Sequence, residues 1–177
     1  MITIGFVEAI KSIGFIPFNL SCVLWIKFAL LSFVGSVKLF WFLKLHTEMF
    51  GNVWDWAGKP RQIELSIGIK AYLVPMELKR LSDDFLFWDK NKSFDVYEIA
   101  SRLHHRAVQI HPFQNGNGRW SRMLANIYLR QKGLMPVKWQ EDLLASENPK
   151  RSEYIQALKK ADDRDYSDLI EMHRITY

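Results

Sequence analysis

Apolar residues recur at helical spacing along most of the chain, and glycine and proline mark where it must turn. From Leu39 to Phe50 the apolar positions are dense enough for a first helix, ending near Gly51. Gly58-Lys59-Pro60-Arg61 is a turn signal. The next six residues, Gln62 to Ile67, alternate polar and apolar as a short strand does, and Gly68 permits a bend with Lys70 to Val74 returning. Pro75 then opens a helix over Met76–Trp88 with Leu78, Leu81, Phe85 and Trp88 on its inner side. Asp95 followed by Glu98 forms a capping-box pattern ahead of the stripe Val96, Ile99, Leu103, Ala107 and Ile110. Pro112 disfavours helical geometry at His111, which ends that helix. A further helix is predicted from about Arg119 to Gln131, with Trp120, Met123, Leu124, Ile127 and Tyr128 inward and Gly133 as terminator. A last one covers about Ser152–Ala161, after Asn148-Pro149. The pattern predicts an all-α bundle carrying one small β-hairpin.

Composition changes the picture mainly at the N-terminus. Residues 1–43 are rich in Phe, Ile, Leu and Trp, the first 38 standing apart as a hydrophobic segment, and from Ile13 to Val37 the only charge is Lys27. That length matches the ~20 residues of a spanning helix. Lys27 falls near the middle of the run, where a charge costs at least about 2.5 kcal/mol, and Pro17 and Gly35 interrupt it. Three readings stay open for this segment: a membrane anchor, a greasy hairpin packed on the domain, or a frame-altered N-terminus foreign to the fold. Residues 39–177 form the domain proper, placed in the cytoplasm or held to a membrane from its cytoplasmic side. The 177-residue chain is 49% hydrophobic, which excludes a mainly disordered protein. Its net charge of +5 is scattered and does not choose between ATP, an acidic partner and nucleic acid. Cys22 is the only cysteine, so no intrachain disulfide forms, and no Cys/His set has zinc spacing.

Candidate chemistry is concentrated in His111-Pro112-Phe113-Gln114-Asn115-Gly116-Asn117-Gly118-Arg119-Trp120-Ser121-Arg122. Two glycines flanking an asparagine before a helix let successive backbone N–H groups converge on an anion, and the helix N-terminus adds its positive end. Arg119 and Arg122 lie in the first turn, three residues apart, where cations oppose the macrodipole by a few tenths to about 1 kcal/mol each. Paired guanidinium groups there fit a polyphosphate. The plain alternative is that each pairs with an acid such as Asp83, Asp84 or Glu98. His111, just before the loop, has the proton affinity of a general base. For a lone histidine, a helix-capping role is the simpler reading. His104 and His105 are adjacent on a helix and cannot both face the loop. Phe113 reads as a core anchor.

These residues resemble the Fic family signature, His-x-Phe-x-acid-Gly-Asn-Gly-Arg-x-x-Arg, which stands here as HPFQNGNGRWSR. The likeness continues through Met49–Gln62 and the hairpin after it, and again in the stretch from Tyr154 to Ile170. The sequence looks closest to the branch called mobile mystery protein B, whose motif also carries Asn in place of the acid.

The resemblance implies a Fic-type helical bundle that transfers AMP from ATP to a Ser, Thr or Tyr hydroxyl of a target protein. His111 would take the hydroxyl proton. Asn115, Gly116, Asn117 and Gly118 would line the nucleotide phosphates, and Arg119 and Arg122 would neutralise the β- and γ-phosphates. Ile63, Glu64, Leu65, Ser66 and Ile67 would be the flap that aligns the target by strand addition. Asn115 stands where the family's acid ligates Mg²⁺; its amide oxygen can still coordinate a hard cation but brings no charge. Related Doc-type kinases carry Ala-Asn-Lys where this chain has Gly-Asn-Gly, which favours AMP transfer over phosphate transfer. A nucleotide-binding module that has lost activity is the further alternative. No Ser/Thr-x-x-x-Glu-Gly/Asn inhibitory motif is present, so inhibition falls to a separate antitoxin-like partner or is lacking. Specific nucleic-acid binding is not expected.

Overall fold

The computed structural model describes residues 39–145 and 147–175. The readings made for residues 1–38 lie outside that range. Among the described residues there are seven helices: α1 (Leu39–Phe50), α2 (Val74–Asn91), α3 (Val96–Ile110), α4 (Asn117–Gln131), α5 (Glu141–Ala145), α6 (Pro149–Asp162) and α7 (Ser167–Arg174). A 3₁₀ turn, Ala71–Leu73, leads into α2. No helix among these residues is long and apolar enough to cross a membrane.

The local signals act as their chemistry requires. Asp95 caps α3 by accepting the Glu98 N–H at 2.9 Å. Asn148 caps α6 through the Arg151 N–H at 3.1 Å, which starts that helix three residues earlier than its apolar pattern suggests. Pro75 occupies the first turn of α2, where its missing N–H costs nothing. Gly133, at φ +80, closes α4.

The packed centre is α3 against α4, with α2 and α7 laid on α3 and α1 reaching both α2 and α4. Ile99, Leu103, Ala107 and Ile110 of α3 meet Trp120, Leu124 and Tyr128 of α4, all essentially buried. Each large side chain so buried contributes about 1.5–3 kcal/mol. Trp120 also donates its indole N–H to the Phe42 carbonyl at 3.0 Å, tying α1 to the start of α4. This pairing fixes the short link between α3 and α4, residues 111–116, in space.

The expected β-hairpin is not formed: no strand occurs among the described residues. Ile63, Glu64, Leu65, Ser66 and Ile67 follow an irregular path. The cause is the Arg61 side chain, which enters between the two arms. Its Nη1 donates to the Ile63 carbonyl at 2.9 Å and its Nη2 to the Ile69 carbonyl, so acceptors suited to cross-strand bonding meet a guanidinium instead. Glu64 accepts the Ala71 N–H at 3.2 Å, a further backbone group bonded by a side chain. A lone two-stranded ribbon is marginal in water, so this exchange is readily won by a buried arginine.

Candidate active site

The loop after α3 is held by three buried devices. Asn117 is the first. Its Oδ1 accepts the Phe113 N–H at 2.9 Å and its Nδ2 donates to the Phe113 carbonyl at 2.8 Å, closing the turn like a backbone pair. Sequence reasoning gave Asn117 to the phosphates, but its carboxamide is committed inward, leaving its main-chain N–H for any anion.

His46 of α1 is the second device, one that sequence reasoning missed. Its ring stacks on Phe113 with centroids 3.6 Å apart. Nδ1 accepts the Gly58 N–H at 3.0 Å, so Nε2 carries the proton and donates to the Asn115 carbonyl at 3.1 Å. Burial holds this histidine down at about 4, with the Asn115 carbonyl opposing and Arg119 adding to the depression. The third device is Gly116, at φ +79. A Cβ there would fall 2.7 Å from the Phe50 ring and 3.2 Å from His46 Nε2, so only glycine lets the loop lie against this wall.

α4 then opens at Asn117 with no side-chain cap. Its leading N–H groups have no preceding carbonyl in the helix to meet, and Gly118 keeps the approach low. The two arginines flank this opening, but their heads go to different elements. Arg119 lies over Phe50 at 4.7 Å and Trp54 at 5.9 Å. Arg122, only 5% exposed, lies over Tyr154 at 5.6 Å and Trp139 at 5.9 Å. The Arg122 guanidinium also reaches back toward Gly118, whose Cβ, if present, would sit 3.2 Å from Nη1. Among the acids considered from sequence, Asp83 pairs with Lys79 and Glu98 with Arg102.

Behind Arg122 runs a directed chain of hydrogen bonds. His173 Nδ1 donates to the Leu169 carbonyl at 2.7 Å, so its Nε2 accepts from His104 Nδ1 at 3.3 Å. His104 Nε2 must then accept the Tyr154 hydroxyl at 2.9 Å, leaving the phenol oxygen to accept from Arg122 Nη1 at 3.5 Å. Both rings are neutral: burial pushes His104 well below the ordinary range and His173 to about 4. His104 therefore supports Arg122, while His105 pairs with Asp162 at 2.9 Å; both stand apart from the loop.

His111 ends α3 in the left-handed region at φ 52. Its Nδ1 is buried and makes no full hydrogen bond, so any exchange with a substrate must pass through Nε2. Burial lowers its proton affinity first, the Arg61 guanidinium lowers it further, and the Val108 carbonyl counteracts both. A neutral imidazole at ordinary pH follows, which is the state a general base needs.

Asn115 is exposed, and its Oδ1 accepts the Gly116 N–H at 2.7 Å. No group of three His, Cys, Asp or Glu suited to a metal occurs among the described residues. Asn115 therefore brings a neutral amide oxygen to the loop where a carboxylate would bring a charge. A cavity of about 320 Å³ lies elsewhere, between the 137–140 segment and α5 to α7. It shares Trp139 and Tyr154 with the Arg122 wall, but Glu153, Asp168 and Glu171 outnumber its two lysines, which is unsuited to a polyanion.

The sequence profile described as Fic/DOC family matches residues 36–129. Among curated proteins, the chain is similar to "Protein adenylyltransferase Fic" of Aedes aegypti, 30% identical over 128 residues, covering 70% of this chain and 25% of that protein. It is likewise 32% identical over 127 residues to "Protein adenylyltransferase Fic" of Drosophila grimshawi, with coverage of 70% and 25%. The chain thus spans about a quarter of the length of these relatives. Fic-1 (residues 134–508) from C. elegans superposes with a TM-score of 0.70 at 25% identity, covering 85% of this chain and 44% of that one. A Fic domain containing signaling protein from Bacteroides thetaiotaomicron shares the fold, with a TM-score of 0.68 at 20% identity and coverage of 91% and 60%. With the profile covering more than half of the residues, the chain belongs to the Fic/DOC family.

Proposed function

We propose that this chain is a protein adenylyltransferase that moves AMP from ATP to a Ser, Thr or Tyr hydroxyl of a target protein. Nε2 of His111 takes the hydroxyl proton as the hydroxyl oxygen bonds to the α-phosphorus. The bond from that phosphorus to the bridging oxygen breaks, and pyrophosphate carries the electron pair away. The N–H groups of Asn117 and Gly118 receive phosphate oxygens at the uncapped start of α4, and Arg119 and Arg122 balance the β- and γ-phosphate charge. Positioning of charge, not covalent catalysis, supplies the acceleration. The irregular segment from Ile63 to Ile67 remains the surface proposed to receive the target; Ile63 and Ile67 are more than half exposed there.

The observation that carries this reading is His111, held neutral by burial at the end of α3, beside a helix start left open for an anion. Adenylyltransferase relatives at about 30% identity point the same way. Mg²⁺ is proposed to enter already bound to the triphosphate, with Asn115 its one candidate protein ligand and no chemical step depending on it. Asn115 in place of an acid supports the mobile mystery protein B branch and also favours a second reading, a nucleotide-binding module with little transfer activity.

The test is to label a lysate with α-labelled and γ-labelled ATP, using wild type and His111→Ala. AMP transfer puts only the α label on protein, and His111→Ala removes it while ATP still stabilises the fold. Label from γ-labelled ATP would mean phosphate transfer. Equal labelling by His111→Ala would overturn the base assignment, and stabilisation by ATP without any labelling would favour the inactive module.

A further inference from the structure

Arg61 is a buried cation outside the signature motif, and every arm of it is used. The residue is 2% exposed. Nε donates to the His111 carbonyl at 2.7 Å, Nη1 to the Ile63 carbonyl at 2.9 Å, and Nη2 to the Ile69 carbonyl. Its own main-chain N–H donates to the Pro112 carbonyl at 2.8 Å. One residue therefore bonds both ends of the exposed 63–69 segment and two successive residues of the His111 loop. The contact between these parts is tight: a Cβ on Gly68 would lie 2.5 Å from His111 Cβ and 3.0 Å from Arg61 Nη2.

A buried guanidinium without a fully bonded counter-ion is costly. The nearest carboxylate, Glu64, stands 3.9 Å from Nη1 with about half its side chain in water, so it offsets little of that cost. Core packing alone would be served more cheaply by an apolar residue. What only arginine provides is a planar fork of donors reaching three carbonyls at fixed angles.

We infer that Arg61 is a positioning residue, clamping the target-receiving segment to the His111 loop so that a presented hydroxyl and the base stay in register. This deepens the transferase reading and rests on it. A second effect follows from charge. The charged groups about His111 are Arg61 and, through it, Glu64, while α3 supplies the Val108 carbonyl. Removing the Arg61 charge raises the proton affinity of His111, because a nearby cation disfavours imidazolium.

The test uses the full chain with Arg61→Gln and Arg61→Lys, checked first by thermal melting. Amide hydrogen exchange reads residues 62–70, NMR titration reads His111, and the pH dependence of lysate labelling reads the reaction. Arg61→Gln is expected to speed exchange in 62–70 at least tenfold. It also moves the His111 titration upward, with burial still holding it below the ordinary value, and shifts the acid limb of labelling to higher pH in step. Arg61→Lys keeps the charge but offers one compact donor group, so exchange rises while the titration stays low. A folded Arg61→Gln with unchanged exchange and titration overturns the inference. If Arg61→Gln does not fold, unchanged exchange in Arg61→Lys overturns it instead. Should wild type transfer no AMP, the transferase reading fails, while the exchange and titration results still decide the clamp.

Discussion

Asn115 shows how much one side chain decides. Its Oδ1 already accepts the Gly116 N–H, so an aspartate there could keep that bond and turn a second, charged oxygen outward. Asn115→Asp is therefore expected to raise Mg²⁺-dependent labelling severalfold and lower the Mg²⁺ concentration needed for half-maximal rate. An unchanged metal dependence would show that the missing acid is unimportant. Arg119→Ala should weaken ATP affinity roughly 10- to 100-fold, the worth of a charge-assisted contact, as read by calorimetry. The sequence made Arg119 legible, because a cation in a helix's first turn is locally unfavourable and asks for an anion. It left His46 and Arg61 unread: one is a polar residue in an apolar helix, the other the end of a turn. Neither spacing nor charge says that the chain folds back over them.

At the scale of elements, the α3–α4 link is the part with least tolerance. Asn117→Ala strips partners from the buried N–H and carbonyl of Phe113, a cost of about 2 kcal/mol or more. Denaturant melts should show that loss, together with reduced labelling; an unchanged midpoint would mean the turn is held otherwise. The helices that pattern predicted are α1 to α4 and, with a late start, α6. α5 is five residues long and α7 eight, too short for periodicity to register. Two buried positions of α7 are Leu169 and His173, and a histidine counts as polar in any reading of pattern. The hairpin failed for a different reason. Alternation reports which residues could face a core, whereas the carbonyls of Ile63 and Ile69 were taken by a distant-facing guanidinium.

Across the whole molecule, buried neutral histidines make stability depend on pH. His46 and His173 titrate near 4 in the folded chain against an ordinary value of about 6.5, and His104 is shifted in the same direction. Between those values the unfolded chain binds protons that the folded one refuses, so stability rises with pH and is lost on acidification through that window. His46 and His173 together account for about 4 kcal/mol by pH 5, a large part of the 5–15 kcal/mol usual for a domain. Thermal melts should therefore fall steeply from pH 7.5 to 5. A flat profile would mean these rings are not buried as neutral species. Since His104 and His173 stay neutral while the chain is folded, their bonds behind Tyr154 and Arg122 are expected to hold until the fold itself gives way.

The sequence by itself determined what depends on near neighbours: capped helices, their apolar faces, and a glycine-bounded turn feeding two arginines into a helix start. Caps, propensities and first-turn charges act within a few residues, so they can be read along a line. Only tertiary structure decided which groups those residues meet. It brought Arg61 between the arms of the expected hairpin, laid His46 under the loop, and sent the two guanidinium heads to separate aromatic walls. Burial strips water from polar groups and obliges them to bond whatever the fold brings near, and that choice is written in three dimensions.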